Sequence, residues 1–180
     1  MRTLARVAFA TAILALLAAA PSQADDRKDG RKEAEITAKL IGYREVPAIS
    51  STGTGSFRGR IHDDGQSLAW RLRYDGLEGA VQQAHIHFAQ KSVNGAIVVF
   101  LCTNLGNGPA GTAPCPPSGT VEGVATADTM VNTGAPQGLA AGEFAELLKA
   151  IRKGVTYVNV HTDKHPTGEI RGQVKTEDDD

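Results

Sequence analysis

The sequence predicts an antiparallel all-β domain, a sandwich or barrel, with one short helix near residues 141–153. Three observations carry this. Apolar residues recur mostly with a period of two, which puts them on one face of a strand. Glycine, proline and Asn/Asp-rich connections separate the apolar runs into about eight short strands. One late segment, in which Phe144, Leu147, Leu148 and Ile151 repeat at helical spacing, breaks the rule. Its charges suit a helix, with Glu143 and Glu146 early, Lys149, Arg152 and Lys153 late, and Gly154 just beyond.

The strands follow in order. Ile36, Ala38 and Leu40 alternate with Thr37 and Lys39, and Phe57 and Ile61 flank Gly59 between Arg58, Arg60 and His62. Asp63-Asp64-Gly65-Gln66 is a tight connection into a strand on which Leu68, Trp70, Leu72 and Tyr74 share a face, so these two runs form a hairpin. Val81 to Phe88 and the nearly continuous apolar run Ala96 to Cys102 come next, then Thr120 to Ala127. Thr156 to Thr162 and Glu169 to Lys175 close the chain across a Pro166-Thr167-Gly168 turn.

The ends have a different character. Arg2 and Arg6 precede an apolar run from Val7 to Ala20, and Ser22-Gln23-Ala24 has the small residues a signal peptidase recognises, so residues 1–24 are expected to be an export signal. The run is shorter than the roughly 20 residues of a spanning helix, and no membrane span is expected after its removal. Residues 25–34 form a charged leader and residues 176–180 an acidic tail, with the domain between them at 35–175. A secreted or periplasmic location follows. There Cys102 and Cys115 are expected to pair as a disulfide, which contributes on the order of 3 kcal/mol by restricting the unfolded chain. With 19 basic and 20 acidic residues, the chain offers no electrostatic case for nucleic acid.

Chemistry concentrates in the five histidines. His85 and His87 are two apart on one strand and project from the same face, roughly 6–7 Å apart along the chain, while Ala84, Ile86 and Phe88 face the core. On a later strand Tyr157, Asn159 and His161 alternate with Val158 and Val160. His85, His87 and His161 can therefore hold one metal at a surface site, with His165 or His62 as a fourth ligand and Asn159 or Tyr157 behind them. Imidazole sets suit copper, and less well zinc. The competing reading is a hydrogen-bonded histidine network with no metal. No catalytic residue is assigned: Gly-x-Ser-x-Gly, phosphate-loop and His-Glu-x-x-His motifs are all missing, and Glu45 and Glu169 are taken as structural or surface acids.

Leu40-Ile41-Gly42-Tyr43-Arg44-Glu45-Val46-Pro47, then Ala84-His85-Ile86-His87 with Asn94-Gly95, then Tyr157 to Thr162 followed by Pro166 to Gln173, resemble the CHRD domain, the module named after chordin. The resemblance implies an immunoglobulin-like β-sandwich of the exported, single-domain bacterial type. It implies little biochemistry; an extracytoplasmic protein partner is one possibility it leaves open. The matched histidines are His85, His87 and His161. His-x-His after Gly76-Leu77-Glu78-Gly79 also resembles the copper strand of Cu/Zn superoxide dismutases, without their bridging histidine or zinc loop. The function expected is a metal-binding module, with a copper-dependent redox enzyme or a metal-free envelope protein as alternatives.

Overall fold

The computed structural model describes residues 34–133 and 137–176. The expected export signal, all of the leader but Ala34 and all of the tail but Thr176 lie outside the described residues. Strands β1 (Ala34–Ile41), β2 (Thr54–Ile61), β3 (Leu68–Asp75), β4 (Val81–Phe88), β5 (Ala96–Thr103) and β6 (Gly119–Ala125) are followed by helix α1 (Phe144–Arg152) and strands β7 (Thr156–Thr162), β8 (Ile170–Gln173) and β9 (Lys175–Thr176). All pairings between these strands are antiparallel. The all-β class and the helix are as predicted. The hydrogen-bonded order is β5-β4-β7-β8-β1-β2-β3-β6, with β9 on β1. The end strands β5 and β6 approach each other, so the path nearly closes around one core.

On β3 the alternation is regular, with Leu68, Trp70, Leu72 and Tyr74 buried and their neighbours exposed. The β2–β3 turn forms as expected: Gly65 takes a positive φ and the Gln66 amide donates to Asp64 Oδ1. Trp70 lies in register between Gly59 and Gly123. A Cβ on Gly123 would come 2.7 Å from the indole, so the ring occupies the space that a side chain on β6 would need. Helix α1 buries Phe144, Leu147, Leu148 and Ile151 in the same core and ends at Gly154, whose amide caps the Ile151 carbonyl.

Two boundaries differ from expectation. β6 stops at Ala125 because Thr126 caps a 3₁₀ turn over Ala127–Thr129. The last strand is divided at Val174, which donates to the Thr156 carbonyl on β7 while Lys175 and Thr176 move over to pair with β1. Cys102 and Cys115 are disulfide-bonded, and Asn104 ties the same loop to the Val81 and Cys115 carbonyls.

The alternation breaks on β4 and β7. Residues Ala84 to His87 are all buried, as is every residue of β7. Ala84, Ile86, Val158, Val160 and Ile170 face the apolar core. The opposite face of β4, β7 and β8 is polar and is covered by the segments 42–53 and 89–95, which bond to it through Ser51 and Gly95 and to each other through Asn94 and Val46.

The Trp70–Gly123 contact makes a direct prediction. Gly123→Ala should lower stability by about 1–3 kcal/mol through overpacking, although alanine is otherwise favoured over glycine within a strand. Urea denaturation followed by fluorescence of the single tryptophan measures this. An unchanged midpoint would contradict the packing described.

Candidate metal centre

Strand pairing places the histidines. β4 and β7 pair with His85 opposite Asn159, His87 opposite Tyr157 and Gln83 opposite His161, so the alternating residues of both strands share the covered face. β8 extends the row by setting Arg171 opposite Asn159 and Gln173 opposite Tyr157. His85, His87 and His161 each carry a ring nitrogen that lies within 4.8 Å of the other two. His85 Nδ1 and His161 Nε2 stand 3.2 Å apart. Two nitrogens bound about 2.0–2.1 Å from one ion would be separated by roughly 2.9–3.4 Å.

Contrary to the surface site expected, the three rings are enclosed: His85 is 0 % exposed and His87 and His161 are each 6 % exposed. The reason is the cover of 42–53 and 89–95, which carries no strand pattern that would announce it. Burial drives the His85 imidazole down to about 2, helped by the neighbouring His161 and His87. It drives His87 to about 4 against the opposing hydrogen bond to Gly95, and it lowers His161 in the same way. The three rings are therefore neutral at neutral pH, the form that can ligate a metal.

Two tautomers are also set. His87 Nδ1 lies 2.9 Å from the Gly95 carbonyl and His161 Nδ1 lies 3.0 Å from the Pro166 carbonyl. A carbonyl only accepts, so both Nδ1 atoms carry the proton and both Nε2 atoms keep a lone pair. His87 Nε2 is buried with no hydrogen-bond partner among the described residues. Unsatisfied buried acceptors are costly, and a cation would relieve them.

Of the other candidates, Tyr157 and Asn159 join the site. The Tyr157 ring stacks on His87 at 4.6 Å, and Asn159 Oδ1 is 3.0 Å from His161 Nε2. His165 is outside the cluster; it is a turn residue whose carbonyl accepts from Thr162 and Gly168, and the turn it begins aims the Pro166 carbonyl at His161. His62 is exposed at the start of the β2–β3 turn, beside α1.

The CHRD domain model matches residues 36–174, nearly the whole described chain. The protein belongs to the CHRD domain family. No curated protein and no solved structure matches it. Within this CHRD domain the residues that hold the site in place include Arg171, to which the sequence assigned no role. Arg171, 2 % exposed, donates to Asn94 Oδ1 (2.8 Å) and to the Val93 carbonyl (2.7 Å), and its Cζ lies 3.3 Å from the centre of the Tyr157 ring. Of the two readings open for Glu45, a structural or a surface acid, burial decides for the structural one; desolvation lifts its carboxyl to about 7 against the attraction of Arg171 and hydrogen bonds from Val46 and Asn159.

Glu169 is wholly buried. Desolvation pushes its carboxyl up, but hydrogen bonds from Ser51, the Glu78 and Gly79 amides and Thr162 outweigh it and hold the group below the usual range. It pins the 42–53 cover and the 76–80 loop to the strands. Arginine between Ile170 and Gly172 on a short strand looks like an outward-facing surface residue. Only the knowledge that this face is covered reveals its place.

The pH dependence of the metal-free CHRD domain follows. Below about pH 6.5 the unfolded histidines take up protons that the folded ones refuse, so stability falls on acidification by about 1.4 kcal/mol per pH unit for each histidine. Glu45 opposes this between its ordinary value of 4.5 and about 7, because the folded carboxyl holds a proton the unfolded one has lost. Three histidines outweigh one carboxyl. Chemical denaturation from pH 7 to 5 should show the wild type losing stability, and Glu45→Gln losing it more steeply. A flat profile for the wild type would contradict neutral, buried imidazoles.

Proposed function

We propose that this CHRD domain is an exported metal-binding module, with copper favoured over zinc, held by His85, His87 and His161. The observation that carries the reading is the convergence of three buried, neutral imidazoles, two of them with Nδ1 committed to backbone carbonyls so that Nε2 is free to ligate. Pre-set tautomers of this kind recur behind metal-bound histidines. Copper is preferred on intrinsic affinity for an imidazole set. Burial of all three rings favours a binding or structural role over turnover of a substrate, since catalytic centres keep an open position.

Export is part of the same reading. The positive start at Arg2 and Arg6, the apolar run to Ala20 and the small residues before Asp25 support a signal peptide, and the Cys102–Cys115 disulfide suits an oxidising, secreted or periplasmic setting.

Elemental analysis of protein recovered from its exported compartment, with Cu(II) and Zn(II) titrations of the wild type and His85→Ala/His87→Ala, is the test. The wild type should carry or take up close to one equivalent. The double variant should lose this while keeping its β-rich circular dichroism. Binding no tighter than that of an exposed histidine in the wild type would overturn the proposal and leave a histidine network that only stitches strands together.

A further inference from the structure

Resting on the metal reading above, we infer that Asn159 supplies a fourth ligand through Oδ1, so that the chain closes the centre with three nitrogens and one oxygen and leaves no position for water or substrate. Asn159 is 2 % exposed and sits opposite His85 on the adjoining strand. Its two amide atoms face different surroundings. Nδ2 is turned toward Gly168 and the Glu45 carboxylate, since a Cβ on Gly168 would meet Glu45 Oε1 at 2.3 Å and Asn159 Nδ2 at 2.9 Å. A carboxyl oxygen accepts and an amide NH₂ donates, so Glu45 beside Nδ2 suits the orientation that sends Oδ1 toward the histidines. Gly168, at φ 128°, is the residue that allows this approach.

On the other side the donors run out. Asn159 Oδ1 is 3.0 Å from His161 Nε2, which is itself 3.2 Å from His85 Nδ1. His161 already gives its ring proton from Nδ1 to the Pro166 carbonyl, which leaves Nε2 a lone pair. His85 can offer one proton to Nε2. No donor then remains for Asn159 Oδ1, and two acceptors face each other at hydrogen-bond distance. A cation between His85 Nδ1, His161 Nε2 and Asn159 Oδ1 removes that conflict, with His87 as the third nitrogen donor of the cluster. An amide oxygen is a harder donor than imidazole. A neutral set completed by it therefore favours a divalent ion, Cu(II) or Zn(II), over Cu(I).

Pulsed EPR of the Cu(II)-loaded, signal-free chain in D₂O distinguishes the outcomes. The wild type should show imidazole nitrogens and no directly bound exchangeable water. Asn159→Ala should gain one such water while keeping copper, and Asn159→Asp, which restores an oxygen donor, should exclude it again and guards against misfolding of the alanine variant. A copper-bound water in the wild type, or an Asn159→Ala spectrum identical to wild type, would overturn the fourth ligand while leaving the histidine site intact. Failure of the wild type to bind copper at all would overturn both readings.

Discussion

A guanidinium buried beneath two loops is the constraint on which the polar face depends. Arg171 cannot lose its charge, so once covered it must be satisfied where it stands. It lies against the Tyr157 ring, binds Val93 and Asn94, and attracts the Glu45 carboxylate. These contacts reach both cover segments, Val93 and Asn94 in 89–95 and Glu45 in 42–53. Asn94 bonds onward to the Val46 carbonyl, and the next residue, Gly95, presents the carbonyl that fixes the His87 tautomer. Strand β8 thus sets the proton position on a histidine of β4 through a loop that belongs to neither strand.

The same arrangement explains why the histidines are buried at all. On β1, β2 and β3 one face meets solvent and charged residues alternate with apolar ones. On β4, β7 and β8 both faces are covered, the inner by the apolar core and the outer by 42–53 and 89–95. A polar layer of this kind is stable only when its groups are paired. Glu169 meets this requirement with two hydroxyls and two amides, and Arg171 with two oxygens and a ring. The histidine cluster is the part that does not: His87 Nε2 has no hydrogen-bond partner among the described residues. A network satisfied at its margins and lacking donors at its centre is organised to receive a positive charge.

Much of the fold was legible because local rules agree with it. Alternation on β3, the Asp63–Gln66 turn, the helical spacing of Phe144, Leu147, Leu148 and Ile151, and the pairing of the two cysteines all follow from neighbouring residues. The triad was legible in part. A His-x-His strand and a later His161 on an alternating strand can be picked out, but their convergence depends on β4 pairing with β7, across 76 residues of chain between His85 and His161. Their burial was not legible, since the cover is made of irregular segments with no periodic signal. For the same reason the burial of Glu45 and Arg171 has no local signal, and His165, close in sequence to His161, looks like a ligand although it stands outside the cluster.

The central claim is that His87 and His161 hold their protons on Nδ1 and offer Nε2 toward a common point. Nitrogen-15 NMR of the imidazoles in the metal-free protein at neutral pH, before and after one equivalent of Zn(II), reads this directly. The account predicts neutral rings with Nδ1 protonated in both residues, and Nε2 resonances that shift on zinc addition. Imidazolium rings, the opposite tautomer, or spectra indifferent to zinc would contradict it.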